Sequence, residues 1–162
     1  MRDVQPSILL THSPQDYMED HMNAARLAIT SAFSRCMPNF PVTPIRVTTE
    51  QPVAIYHAQP HGNVDGLRRP VRPDLVVDIS STIDRKVTML AMHKSQKEWL
   101  DQSQGMDSYT DSMKALCQQI GEFANRPFGE GWRRHSHLGF ADEDFDPLGE
   151  ALGELVVPVQ TS

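Results

Sequence analysis

The chain has 162 residues, enough for one core of ordinary size and not for two. Its composition, 39% hydrophobic and 22% charged, is that of a water-facing globular protein, with every apolar run broken well short of a bilayer span. A formal net charge of −6 weighs against nucleic acid or an anionic membrane as the main partner. The polar start Met1 to Gln5 does not read as a signal peptide. Cys36 and Cys117 each sit inside an amphipathic pattern and read as buried free thiols. The expectation is one cytoplasmic domain over residues 1–162.

In chain order, Ser7 to His12 is a short β-like run that ends in a polar loop, Ser13 to Glu19. Met22, Ala25, Ile29, Ala32, Phe33 and Cys36 then recur at helical spacing until Pro38 stops them. Pro38 to Pro52 is Pro-rich and irregular, Val53 to Tyr56 is a second strand, and His57 to Pro73 reads as a long functional loop. Leu75 to Ile79 is a third strand, β-branched and apolar as a buried strand would be. Ser80 and Ser81 offer N-caps for a helix running through His93 to about Leu100. Met113, Leu116, Cys117, Ile120, Phe123 and Ala124 stripe a further helix, which Pro127, Gly129 and Gly131 end. Strands alternating with helices predict an α/β layered fold with a mainly parallel sheet and flanking helices. Three strands make that sheet thin, with poorly covered edges.

Three clusters carry chemistry. The first, Thr11 to His21, places His12, Asp16, Glu19, Asp20 and His21 between a strand end and a helix start, where open α/β sheets bind ligands. Imidazole and carboxylate suit a hydrolytic Zn²⁺ site, which needs three protein ligands and an open position. The same spacing also fits a solvated loop in which Asp20 caps the helix. The second cluster is His93, Lys94, Ser95 and Gln96, with Lys86 and His93 on one helical face. The third, Trp132 to Phe145, mixes Arg133, Arg134, His135 and His137 with acids, and reads equally as an anion- or sugar-facing site and as a solvated turn.

Taken in order, these clusters resemble the C-terminal half of the PIG-L (LmbE-like) zinc-dependent de-N-acetylases. The matching residues are His12-Ser13-Pro14-x-Asp16-Tyr17-x-x-Asp20-His21, then Asp74 to Ser80, Lys86, His93-x-Ser95-Gln96, and Arg134 to Phe145. The resemblance implies a partial Rossmann-like fold and a zinc-dependent hydrolase that removes an N-acetyl group from an amino-sugar-type small molecule. It implies His21 as a zinc ligand and Asp20 and His93 as catalytic groups. His12, Asp16, Tyr17, Ser95, Gln96 and Arg134 would line the substrate pocket. The family's opening His-Pro-Asp-Asp-Glu-type motif, source of two more ligands and the aspartate base, does not occur in this sequence. Met18 stands where many members carry a proton-donating histidine, leaving His12, His93 or Tyr17 for that step. The chain is therefore expected to be a fragment, inactive alone, that works with a separate N-terminal half or a second copy. The rival expectation is a non-catalytic sugar-binding or scaffold domain derived from that fold. No membrane span and no nucleic-acid partner are expected.

Overall fold

The computed structural model describes residues 1–93 and 109–160. The chain divides into two compact units, Met1–Arg72 with Trp132–Gly153, and Pro73–Gly131 with Glu154–Ser162.

The first unit starts with strand β1 (Ile8–Thr11), followed by helix α1 (Glu19–Phe33) and strand β2 (Ala54–Ala58). It also contains the second half of β4 (Gly129–Arg134) and the short helix α4 (Pro147–Leu152). β1 runs parallel to β2, with Ile8 opposite Ala54 and Thr11 opposite His57. β4 runs antiparallel to β2, with His57 opposite Arg133. Ala25 and Ala32 are fully buried on α1, and their small side chains let the helix lie close to its neighbours. Ala32, Val53, Ile55 and Phe140 form the core, with Leu9 and Ile29 packed against it.

A 3₁₀ turn, Ser34–Cys36, ends α1 and turns Arg35 inward. The Arg35 side chain is buried and its guanidinium makes four hydrogen bonds to backbone carbonyls. Nε donates to Gln51 O at 2.8 Å, Nη1 to Ala32 O at 3.0 Å and Gly139 O at 3.2 Å, and Nη2 to Phe140 O at 2.7 Å. Arg2 does the same at the surface, donating to the carbonyls of Ser34, Arg35, Met37 and Arg46. Gly139 adopts φ +84°, and a Cβ there would come within 2.6 Å of the Phe33 ring. Only glycine satisfies both the conformation and the contact. Buried Tyr56 donates its hydroxyl to Asp146 at 2.6 Å, and Asp146 also accepts from Gly149 N to cap α4.

The second unit pairs β3 (Leu75–Asp78) with β5 (Val156–Pro158), antiparallel, Leu75 opposite Pro158 and Val77 opposite Val156. Helices α2 (Ile83–Ala91) and α3 (Tyr109–Glu122) complete it. Ile79, Ile83 and Cys117 form its core, with Val77, Met113 and Phe128 packed against them. Gly121 and Gly129 touch backbone to backbone. A Cβ on Gly129 would meet Val76 at 2.5 Å, and one on Gly121 would strike Arg126 O.

Several expectations need correcting. The pairing is not mainly parallel: β1–β2 is a parallel pair, whereas β2–β4 and β3–β5 are antiparallel. The two strands the sequence hides are β4, which carries Gly129 and Gly131 and no β-branched residue, and β5, only three residues long. The α2 helix ends at Ala91, so His93 lies beyond it. Ser80 does not cap α2. Thr82 occupies that position without a capping bond, its hydroxyl donating to Ile79 O at 3.3 Å, and the Ser80 hydroxyl accepts from Phe128 N at 3.3 Å instead.

Arg35→Met should destabilise the protein by roughly 3–5 kcal/mol, the usual cost of breaking a buried charged network. Urea unfolding measures this directly. A loss below about 1 kcal/mol would mean that the four carbonyls find other partners without cost.

Candidate functional site

The chain leaves β1 at His12 and turns sharply. Ser13 is 1% exposed; its hydroxyl donates to Gln15 O at 2.6 Å and accepts from Arg133 Nη2 at 2.7 Å. Asp16 is buried as well. One of its carboxylate oxygens accepts from Met18 N at 3.1 Å and lies 3.1 Å from His21 Nδ1. The first contact opens α1, and the second orients an imidazole on its first turn. A carboxylate can only accept, so His21 Nδ1 carries the hydrogen, and in the neutral ring Nε2 carries the lone pair. The His12 ring stacks on His21 with centroids 4.5 Å apart and planes 10° from parallel. Tyr17, well exposed, meets His21 edge-on at 6.0 Å and His61 at 6.0 Å. The loop after β2 rests on this turn, since a Cβ on Gly66 would lie 3.1 Å from Asp16 O.

A second pair of imidazoles anchors the turn from below. His57 is 3% exposed, and its Nδ1 lies 2.8 Å from the His12 carbonyl. That carbonyl can only accept, so Nδ1 is the donor and Nε2 holds the lone pair. His57 Nε2 then accepts from His135 Nδ1 at 3.0 Å. Both tautomers are thereby fixed. Burial pushes the His57 pKa below its ordinary value; nearby His135 and Arg133 lower it further, against the raising effect of the His12 bond. Burial also lowers that of His135.

The structure thus brings together four of the residues expected at this site: His12, Asp16, Tyr17 and His21. The carboxylate that orients His21 is Asp16. Asp20 is exposed, and its side chain accepts from the backbone N–H of His21 at 3.0 Å. Arg134 ends β4, where Nη2 donates to Phe145 O at 2.9 Å. His93 is exposed in the second unit, on a groove of about 620 Å³ shared with Arg85, Lys86, Met89, Met92 and Glu130. There Lys86 pairs with Glu130 at 2.6 Å. Ser95 and Gln96 lie outside the described residues.

Sequence reasoning placed His57 at the start of a loop and His135 only within the Trp132 to Phe145 cluster, and gave neither a role. The alternation Val53, Ile55, His57, all buried, could have extended β2 to the first. Nothing in Trp132 to His137 singles out the second.

A catalytic zinc needs three protein ligands. Among the described residues, no three His, Cys, Asp or Glu side chains gather around one point. His21, with its carboxylate-fixed tautomer, has the form of a single ligand; the described residues do not supply a full set.

No family model matches the chain, and no curated protein matches it. Solved structures do share its fold. GalB, the 4-carboxy-2-hydroxymuconate hydratase of Pseudomonas putida KT2440, aligns with TM-score 0.57 and 23% identity over 83% of this chain and 54% of its own. The conserved protein TT1542 of Thermus thermophilus aligns with TM-score 0.61 and 19% identity over 82% and 53%. The N,N'-diacetylchitobiose deacetylase of Pyrococcus horikoshii, seen with its inhibitor MPG, aligns with TM-score 0.60 and 21% identity over 91% and 52%. The class defined is therefore an α/β fold shared with these proteins, and the chain spans about half the length of each.

The fixed neutral histidines give a pH prediction. A depressed folded pKa means that stability is fully present above the unfolded value, about 6.5, and is lost as pH falls through the lowered folded values. Asp78, held low by bonds from Ser80, has its effect only in the carboxylate range. The urea midpoint should therefore fall between about pH 7.5 and 5.5, and His57→Gln should flatten that slope. An unchanged slope in the variant would mean that His57 is not held neutral by the fold.

Proposed function

We propose that this chain forms part of a zinc-dependent N-deacetylase, a cytoplasmic hydrolase removing an N-acetyl group from an amino-sugar-type substrate. The observation that supports it is the Asp16–His21 pair at 3.1 Å beyond the end of a parallel strand. A carboxylate there fixes the imidazole with Nε2 free to hold a metal, the arrangement metal-binding histidines use. The sequence resemblance and the fold shared with a diacetylchitobiose deacetylase point the same way. Among the described residues, no helix is long and apolar enough to cross a membrane, and a small polar substrate accords with that.

On this reading His21 is one of three zinc ligands, and the other two come from a separate segment bearing a His-Pro-Asp-Asp motif. Zinc would supply an activated water and polarise the amide carbonyl. This chain's own residues contribute positioning. Asp16 holds His21, while His57 clamps the His12 carbonyl so that the turn keeps its shape. Tyr17 and His12 stand beside His21 as candidate partners for the leaving amine, a step Met18 cannot serve because a thioether donates no proton. The rival reading, a sugar-binding domain without chemistry, would use the same wall and need no metal.

Fusing an N-terminal segment that carries the missing motif should produce stoichiometric zinc and acetate release from an N-acetylglucosaminide. His21→Ala in the fusion should lower zinc affinity at least ~10-fold, as loss of a ligand exceeds loss of its supporting partners. The unfused chain should lose zinc to mild chelation and release no acetate. Acetate release by the unfused chain at the rate of the fusion, or a fusion that binds zinc and stays inert, would sink the proposal.

A further inference from the structure

Gln59 follows β2 by one residue and His57 by two. It stands where the strand passes into the loop that carries His61 and Gly66 against the Asp16–Tyr17 turn. Its side-chain Nε2 and Oε1 are both shielded from solvent, and neither has a hydrogen-bond partner among the described residues. Buried polar groups are nearly always paired, because an unmade bond leaves the full desolvation cost standing. A leucine of similar size would avoid that cost. Two orphaned atoms on one amide, two residues past His57, therefore mark a group kept for something outside the fold.

We propose that the Gln59 amide is a sugar-recognition group, which engages two adjacent ring hydroxyls of the substrate. A carboxamide presents one donor and one acceptor side by side in a plane. Neighbouring hydroxyls on a pyranose match that pair: one accepts from Nε2–H while the other donates to Oε1. A secondary amide such as an N-acetyl arm does not, since its trans geometry points N–H and C=O in opposite directions. The diol of the ring, rather than the acetyl group, is what Gln59 would read. Entry means displacing the loop tip, which touches the turn through the Gly66 backbone and the His61–Tyr17 ring contact. This inference rests on the amino-sugar reading above and names which part of the sugar is gripped.

The test uses the chain as it stands. The side-chain NH₂ resonances of Gln59, assigned by their loss in Gln59→Leu, are followed while N-acetylglucosamine, glucose or N-methylacetamide is added. They should move with both sugars and stay with N-methylacetamide, a trans secondary amide like the acetyl arm. Gln59→Leu should bind the sugars at least ~10-fold more weakly, a typical loss for one charge-free hydrogen-bonding group, while its Tm equals or exceeds that of the wild type. Resonances that ignore the sugars, or that move with N-methylacetamide alone, would overturn the assignment. So would a Gln59→Leu that melts several degrees lower yet binds sugar unchanged, the signature of a bridging water only. If the leucine variant does not fold, Gln59→Glu, which also lacks the side-chain NH₂, supplies the assignment and the wild-type titration decides. In the fused protein, acetate release with an unchanged KM in Gln59→Leu would sink this inference and leave the deacetylase reading intact. Sugar-dependent shifts in a fused protein that releases no acetate would do the reverse.

Discussion

The first unit depends on one buried cation. The Arg35 guanidinium is buried, and among the described residues it meets backbone carbonyls, so its burial depends on those oxygens. The fold meets that demand with carbonyls from three stretches of chain: the end of α1 at Ala32, the approach to β2 at Gln51, and the distant Gly139–Phe140. Phe140 O is shared further, accepting from Val53 N at 3.1 Å. A planar fork with fixed angles can be satisfied only when these stretches are in register. Arg35 thus ties the late segment of the chain to the early one, and β2 to both. His135, whose ring packs edge-on against Phe140 at 5.4 Å, reaches His57 through the β2–β4 ladder beside that tie.

The same logic of forced donors and acceptors governs the site. Two imidazoles there each have a nitrogen facing an oxygen that can only accept, Asp16 for His21 and the His12 carbonyl for His57. Tautomers follow without appeal to any measured proton. The consequence is a turn whose shape is set from both sides: Ser13 and Arg133 hold its start, Asp16 its end, and His57 its carbonyl. A turn fixed in that way loses little entropy when it receives a ligand. That is the property a metal- or sugar-binding wall needs. It serves a catalytic and a purely binding function alike, which is why ligand count, and not the wall itself, separates the two readings.

One well-oriented histidine is a third of a zinc site, and the described residues bring no second and third donor to it. This chain covers about half the length of each structure that shares the fold. Their shared fold spans a hydratase and a deacetylase, so the scaffold alone does not choose the reaction.

The sequence by itself determined the pieces whose physics is local. The α1 stripe from Met22 to Phe33, the strands at Ile8, Ala54 and Leu75, and the His12–His21 loop at a strand end were all legible. Each rests on periodicity or on short-range turn chemistry. Direction and pairing were not legible. β4 is glycine-bearing and polar, held as a strand by its ladder with β2 rather than by propensity, and antiparallel pairing is a property of two strands and never of one. Nor could spacing show that Asp16, five residues before His21, would take its imidazole while adjacent Asp20 turned to the backbone. His57 and His135 lie 78 positions apart in the sequence and 3.0 Å apart in space. Only the tertiary structure could join them, because the groups that force their tautomers, a carbonyl and a second ring, are brought there by the register of β2 and by the reach of Arg35.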